Sequence, residues 1–475
     1  MNIFEKIYNQ SKFSKKKILL DQNYYYSNFY NLINEYLDFL KLVLKRKQII
    51  CIDSKYSIDL LAMIIAARLN KNTICILNPS QTNIEKSNIL NQANCSMFLT
   101  EKVTGNKKKI NKFCYELRKT KKVLNNVDAF IVFTSGTTNK PKGAILTDNS
   151  VKNNVLGIIR QLNFAPSDRT IIYTPPNYAM GISQMITFLY LRSSFLLDNE
   201  GIRYADIFLK KIKKYKITIL NLNVASFKYL KIFKKSYKLP NLKMVMSGGM
   251  KMTGIDAQEI FKFFNNKFIV NFYGCTENSP RISHFKFTIN QLKKFKDSKI
   301  LPVGKPLDGI KIKIRKFKKE IQKNYGEINL SGNSLMRTYL DFRFKNKKII
   351  KYNTKDIGYI SSDKNIFVIG RTDNIFKSGN EKISPEEIED RLRPYLKKKN
   401  FIIIKKKHQI LNWEPALVIE GSNSSLEDKL IRNISNDLSN FKIPKKIYYI
   451  KNFYRNNYGK IDRSKIYNQI LKNAG

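Results

Sequence analysis

The chain has 475 residues, 43% of them hydrophobic, and a formal net charge of +50. That length exceeds what one hydrophobic core holds, so two or more domains are expected, and no repeat or biased segment points to a collagen-like, coiled-coil or low-complexity protein. Five scattered cysteines without a Cys-x-x-Cys pair argue against a disulfide scaffold or structural zinc site and fit a reducing cytoplasm.

The charge has two readings. One is a polyanionic partner: nucleic acid, a membrane surface or an acidic carrier protein. The other is a solvated lysine surface, as an AT-rich genome would encode. Basic runs at 15–17, 107–109, 397–399 and 405–407 are dispersed and accompany no nucleic-acid motif, so no nucleic-acid partner is expected. The start, MNIFEKIYNQSKFSKKK, lacks an apolar signal core, and the longest apolar run, 58–69, is too short to span a bilayer. A cytoplasmic location and no transmembrane segment are expected.

In chain order, QIICIDS (48–54) reads as a buried strand, IDLLAMIIAARL (58–69) as a helix and TICILNP (73–79) as a second strand. This βαβ unit marks a parallel sheet. AFIVFTS, RTIIYTPP, ITILNLN, LKMVMSGG and KFIVNFYG continue the strand theme to about residue 274. Ligands of open α/β sheets sit beyond the carboxyl ends of strands, so chemistry is sought there.

After residue 300 the texture changes. GIKIKIRKF alternates strictly, GEINLSG is a short strand, and DIGYISSDKNIFVIGR reads as a hairpin turning near Asp363 and Lys364. These predict a barrel-like antiparallel subdomain over about 300–371. Beyond Arg371 a smaller α+β pattern follows. SPEEIEDRLRPY opens a helix, with Ser384 as cap, Pro385 in the first turn and Glu387 completing a capping box. NFIIIK, PALVIEG and KKIYYIKNF read as strands, and SLEDKLIRNISNDLSNF as an amphipathic helix. The expected fold is α/β: doubly wound sheets and the barrel-like subdomain in a large domain over 1–371, then a small mobile α+β lid over 372–475.

The loop after the strand AFIVF is FTSGTTNKPKGA (133–144). Gly136 and Gly143 permit close backbone approach, Thr134, Ser135, Thr137 and Thr138 offer hydroxyls, and Lys140 and Lys142 add charge. Phosphate recognition uses such donors around exposed N–H groups. The loop lacks the Gly-Lys-Ser/Thr of a Walker loop, and by itself it serves equally well as a surface turn. Further motifs follow: NFYGCTEN (271–278), YNTKDIGYI with Asp356, GRTDNIFKSGNEKISPEEIE with Arg371, Asp373 and Lys377, and NNYGKIDR with Lys460.

In this order the motifs resemble the adenylate-forming (AMP-binding) superfamily of acyl-CoA synthetases, peptide-synthetase adenylation domains and luciferase-type enzymes. The resemblance runs from about Ile131 to Arg463. It implies ATP, Mg²⁺ and a thiol acceptor, either CoA or the phosphopantetheine of a carrier protein. It implies that Thr134, Ser135, Gly136, Thr137, Thr138 and Lys142 bind the leaving pyrophosphate. Tyr273 and Gly274 would hold adenine, Thr276 the α-phosphate and Glu277 the metal. Asp356 and Arg371 would hold the ribose, with Asp373 as hinge and Lys460 as catalytic lysine. Catalysis would rest on Lys460, Thr276, Glu277 and Lys142, and the acid pocket on Tyr178, Gly248, Gly249 and Tyr273. Gly304 and Gly326 fit framework turns.

The activity implied is ATP-dependent conversion of a carboxylic acid to an acyl-adenylate, then transfer to CoA. The alternative is loading of an acidic carrier protein. Asn139 and Asn380 stand where the family has glycine, an exchange that keeps access to positive φ. Lys355 replaces another glycine and predicts strain. Tyr178 and Asp148 stand at common histidine positions. NYAMG lacks the aspartate that amino-acid-activating relatives use, which points away from an α-amino acid. His284 and His408, the only histidines, lie in no motif, which weighs against a Ser-His-Asp hydrolase.

Overall fold

The computed structural model describes residues 1–473 except 46, 80, 102–107, 119–126, 135–141, 235, 317–324, 341–347, 379–380, 397–398, 409–410, 423–441, 456–458 and 460. The strands Ile49–Asp53 and Thr73–Leu77 are buried at every position and pair in parallel. Their unbroken apolar runs follow from cover on both faces. The helix between them, Ile58–Leu69, starts at Ser57, whose hydroxyl accepts from the Leu60 N–H at 3.1 Å. It is apolar almost all round and is buried from Leu60 to Arg68. Arg68 is fully enclosed and meets Asp148 at two points, Nε–Oδ1 and Nη2–Oδ2, both 2.9 Å.

The first sheet runs Thr338–Tyr339, Lys142–Thr147, Asp128–Thr134, Thr73–Leu77, Ile49–Asp53, Met97–Thr100, Phe113–Leu117 and Lys108–Ile110. Its centre is parallel and both flanks are antiparallel. The second sheet runs Lys305–Pro306, Arg281–Phe287, Phe268–Gly274, Met244–Gly248, Ile219–Asn221, Thr170–Ile172 and Phe195–Leu197. It is parallel from Phe268–Gly274 through Phe195–Leu197. Arg281–Phe287 returns antiparallel beside Phe268–Gly274.

The barrel-like region is a four-stranded antiparallel sheet of Ile310–Lys316, Gly326–Gly332, Lys351–Ile360 and Ile366–Arg371. Its hairpin turns at Lys364, with φ +63°. The last strand also bonds the segment before the second sheet's edge: Val303 N–H to Ile366 O at 2.8 Å and Ile366 N–H to Gly304 O at 3.0 Å. Gly304 has φ +74°, and a Cβ there would lie 1.8 Å from the His284 carbonyl oxygen, so only glycine fits this junction. Lys355 lies at φ +65°, the left-handed backbone that its glycine-like position predicts.

Toward the C-terminus, Phe401–His408, Asn412–Glu420 and Lys446–Ile450 form a three-stranded sheet. Alternate side chains of its first strand feed two cores. Phe401 and Ile403 pack with Ile388 and Leu392 of the helix Pro385–Leu392, while Ile402 and Ile404 pack with Ile466 and Ile470 of the helix Arg463–Asn473. Among the described residues, no buried member of either core precedes Phe376. Ser384 and Pro385 take the expected cap and first positions, but the Ser384 side chain makes no cap hydrogen bond. Glu387 pairs with Lys442 at 2.6 Å, so the carboxylate turns outward and the capping box does not form. The amphipathic helix expected at 425–441 lies outside the described residues. Among those described, no helix is long and apolar enough to cross a membrane.

Candidate active site

The strand Phe268–Gly274 carries Tyr273 to the carboxyl end of the second sheet, and Thr276–Asn278 form a single 3-10 turn just beyond. Tyr273 and Asp356 are both 8% exposed, and the tyrosine hydroxyl donates to Asp356 Oδ2 at 2.5 Å. Burial, and secondarily the Asp356 charge, hold the phenol pKa well above 10, so it is a donor. Arg371 Nη1 donates to the other Asp356 oxygen, Oδ1, at 2.9 Å, and its Nη2 reaches Asp373 Oδ2 at 3.2 Å. Burial opposes the Arg371 charge, yet Asp356 and Asp373 outweigh it and raise its pKa. The Asp356 N–H donates to Thr354 Oγ1 at 3.0 Å, and that hydroxyl donates to Ile328 O at 2.9 Å. Four predicted residues, Tyr273, Asp356, Arg371 and Asp373, thus form one hydrogen-bonded chain.

A second group surrounds Glu277. Its Oε1 accepts from the Tyr339 hydroxyl at 2.7 Å, and Tyr339 and Tyr352 hydroxyls lie 3.2 Å apart. The Lys142 ammonium sits 5.8 Å from the Tyr339 ring centroid. Lys142 opens the return strand of a hairpin, paired with Thr134, whose hydroxyl donates to the Lys142 carbonyl at 3.3 Å. The loop motif therefore connects antiparallel strands, and Tyr339 links it to Glu277. Ser135, Gly136, Thr137, Thr138, Asn139 and Lys140 lie outside the described residues, as do Lys460 and Asn380. Gly459, just before Lys460, places a notional Cβ 3.2 Å from the Ala225 methyl. Ala225 is in the first turn of the helix Val224–Phe233, which follows the carboxyl end of Ile219–Asn221. Lys251 pairs with Asp390 at 2.5 Å and ties the helix Pro385–Leu392 to the segment after Gly249.

Gly248 faces the Phe272 ring, where a Cβ would lie 2.2 Å from Cε2; around Gly249 nothing lies within 4 Å of a notional Cβ. Tyr178 is half-buried at the N-cap of the helix Ala179–Tyr190. That helix is fixed to the second sheet by Gln184 Nε2, 3.0 Å from Thr170 Oγ1. Among the described residues, no group of three or more His, Cys, Asp or Glu could hold a metal ion. A lone carboxylate still suits Mg²⁺, which takes one or two protein carboxylates and completes its shell with phosphate and water. Glu277 fits that part, since Tyr339 occupies only one of its oxygens.

Sequence reasoning missed Tyr339, Tyr352 and Asn154. Asn154 Nδ2 donates to the carbonyls of Asn278 at 3.0 Å and Arg281 at 2.6 Å and so clamps the turn after Glu277. No local pattern marks these residues, because their partners lie far away in sequence.

A family model described as AMP-binding enzyme matches residues 9–340. The chain is similar to a 2-succinylbenzoate--CoA ligase of Listeria monocytogenes serovar 1/2a, 27% identical over 71% of this chain and 69% of that protein. It is similar to a D-alanine--D-alanyl carrier protein ligase of Bacillus cereus (strain G9842), 25% identical over 72% of this chain and 70% of that protein. In fold it matches o-succinylbenzoate CoA synthetase from Bacillus subtilis in complex with the acyl-adenylate intermediate, with TM-score 0.80 and 17% identity over 97% of both chains. ATP-bound MatB from Rhodopseudomonas palustris matches with TM-score 0.83 and 16% identity over 100% of both chains. The chain belongs to the AMP-binding enzyme family. Within it, the chain is a ligase of the AMP-forming acid–thiol class.

Proposed function

We propose that this enzyme activates a carboxylic acid with ATP, releases pyrophosphate, and passes the acyl group from the adenylate to the thiol of CoA. The observation that carries the reading is the Asp356 carboxylate held between the Tyr273 hydroxyl and the Arg371 guanidinium, with Glu277 one turn beyond Tyr273. Relatives named as CoA ligases support CoA as acceptor. The carrier-protein alternative has the support of the D-alanyl carrier protein ligase relatives.

In the first step a carboxylate oxygen attacks the α-phosphorus and pyrophosphate leaves. Both reactants are anionic, so positive charge and alignment lower the barrier. Lys142 neutralises the leaving group, helped by the hydroxyls of Thr134, Ser135, Thr137 and Thr138 and the backbone at Gly136. Lys460 bonds the attacking centre, and Thr276 bonds the α-phosphate. Asp356 accepts the ribose hydroxyls, steadied by Arg371. The Tyr273 ring presents its face to adenine beside Gly274, its hydroxyl tethered to Asp356. Mg²⁺, held through Glu277, supplies charge neutralisation at the phosphates when bound.

Tyr178, Gly248, Gly249 and Tyr273 border the acid. In the second step a thiol attacks the adenylate carbonyl and AMP leaves. We place the division between large and small domains at 371/372. Rotation about Asp373 then withdraws Lys460 and brings in the Lys377–Lys382 loop between the steps.

The test is carboxylate-dependent ATP–pyrophosphate exchange over a panel of acids, followed by addition of CoA or a phosphopantetheinylated carrier. Exchange and thioester formation with CoA are expected. Thioester formation with the carrier alone would replace CoA as acceptor, and ATP binding with no exchange for any acid would refute the reading.

A further inference from the structure

Arg281 opens the antiparallel strand beside Phe268–Gly274, directly across from Gly274 and four residues past Glu277. Its backbone is held on both sides: N–H to Asn154 Oδ1 at 3.2 Å, and carbonyl to the side-chain amides of Asn154 and Asn278 at 2.6 and 2.8 Å. The side chain is treated differently. Arg281 is only 2% exposed, yet its Nε and Nη1 are buried without a hydrogen-bond partner. No ion pair to a carboxylate is formed by it among the described residues. Its guanidinium carbon stacks 3.7 Å from the centroid of the Phe272 ring, the ring against which Gly248 leaves room for no Cβ. His284 lies directly opposite Phe272, so it shares that face, and its Nδ1 is also buried without a partner.

A guanidinium out of water, without counter-ion or acceptor, is costly, and folded chains seldom keep one idle. Stacking on Phe272 returns only part of that cost. Nη1 and Nη2 together present the end-on edge of a planar fork, which a carboxylate matches with two parallel hydrogen bonds. Burial also draws the Arg281 pKa down to about 9, and no acidic group offsets it. Burial first, then Arg281 and Lys286, pushes His284 down to about 3, so its imidazole is neutral at pH 7 and can donate one N–H to an anion.

We infer that Arg281, backed by Phe272 and assisted by His284, binds a second carboxylate on the substrate, so that the acid activated here is a dicarboxylic acid. This rests on the adenylation reading above, because it places the second anion beside the centre where the first is activated. The charge balance is local: one guanidinium meets the second carboxylate, and Lys460 meets the reacting one.

The experiment compares matched acids of equal chain length in ATP–pyrophosphate exchange: an alkanoic acid, its ω-carboxylated counterpart and the ω-amide. The dicarboxylate is expected to have kcat/KM about 10- to 100-fold above both neutral-ended acids, the scale of hydrogen bonds to a buried charged group. Arg281→Leu should collapse that ratio toward one, and Arg281→Lys should restore part of it. In a thermal-shift assay the dicarboxylate should raise the Tm of the wild type but not of Arg281→Leu, with MgATP as the common reference.

Neutral-ended acids exchanged as well as the dicarboxylate by the wild type, or a ratio unmoved in Arg281→Leu, would overturn the inference and leave adenylation standing. If Arg281→Leu does not fold, the wild-type ratio decides alone. No exchange with any acid would remove the adenylation reading and this inference together.

Discussion

Tyr273 and Asp356, 83 residues apart in sequence, share a buried hydrogen bond of 2.5 Å between phenol and carboxylate. It joins the end of a strand in the second sheet to a strand of the four-stranded antiparallel sheet. The ring proposed for adenine and the carboxylate proposed for ribose are thereby positioned as one unit. Asp356→Asn keeps the shape but removes the charge that Arg371 and the ribose hydroxyls need. It should raise the KM for ATP about 10-fold or more, the scale of charged hydrogen bonds. Tyr273→Phe keeps the ring and should raise it only a few-fold. Steady-state exchange kinetics at varied ATP check both, and a Tyr273→Phe loss equal to that of Asp356→Asn would mean the hydroxyl, not the ring, is what matters.

Lys460 is expected to act in one half-reaction. Lys460→Ala should lose about 10²–10³-fold in adenylate formation, as for one preorganised charge contact. Thioester formation from a supplied acyl-adenylate should be largely spared. Measuring the two halves separately tests this, and equal losses would contradict the assigned role.

Lys355 holds φ +65° in the strand Lys351–Ile360, just before Asp356. Left-handed backbone costs a side-chain-bearing residue roughly 1–2 kcal/mol, partly returned when glycine's greater unfolded-state freedom is counted. Lys355→Gly should therefore stabilise the protein by about 1 kcal/mol or less. Denaturant unfolding reads the sign, and a clear loss of stability would show that the lysine side chain makes a contact worth more than the strain.

Asp148 answers the fully buried Arg68. Removing one partner of such a pair strands the other charge, a change that typically costs about 3–5 kcal/mol. Asp148→Ala should therefore destabilise strongly, and Asp148→Ala with Arg68→Met should recover much of the loss. A double-mutant cycle in denaturant measures the coupling, and additive effects would deny it.

His284 gives the fold a pH dependence of defined sign. Its pKa falls from 6.5 to about 3 on folding, through burial and then the nearby Arg281 and Lys286 charges. Between these values the unfolded chain binds the proton and the folded one does not, so stability rises with pH there. The contribution is complete above about pH 6.5 and is lost as pH falls toward 3. His284→Gln should flatten the stability profile over that window in urea titrations at stepped pH. An unchanged slope would mean that the imidazole accepts a proton in the folded state.

Membership of the family was legible from the chain because its motifs are local. FTSGTTNKPKGA, NFYGCTEN, the aspartate of YNTKDIGYI and YGKIDR each combine their residue types within a few neighbouring positions. The βαβ start, the hairpin at Lys364 and the alternation after residue 300 were legible for the same reason: period and turn chemistry are short-range. Lys355 is the clearest case, since a glycine-like position predicted the positive φ that it adopts.

Tertiary structure decided what those local rules do not contain. It made Lys142 the first residue of a return strand and brought Tyr339 between it and Glu277. It diverted Glu387 from a capping box to Lys442, because a nearby ammonium competed for the carboxylate. It enclosed Arg68, which in the sequence is only a charge within an apolar run. Above all it left Arg281 buried on Phe272 with donors unanswered, a condition set by strand register and burial. A sequence determines which groups are present and which local shapes they favour; which of them are deprived of water, and of partners, is settled only when distant segments pack.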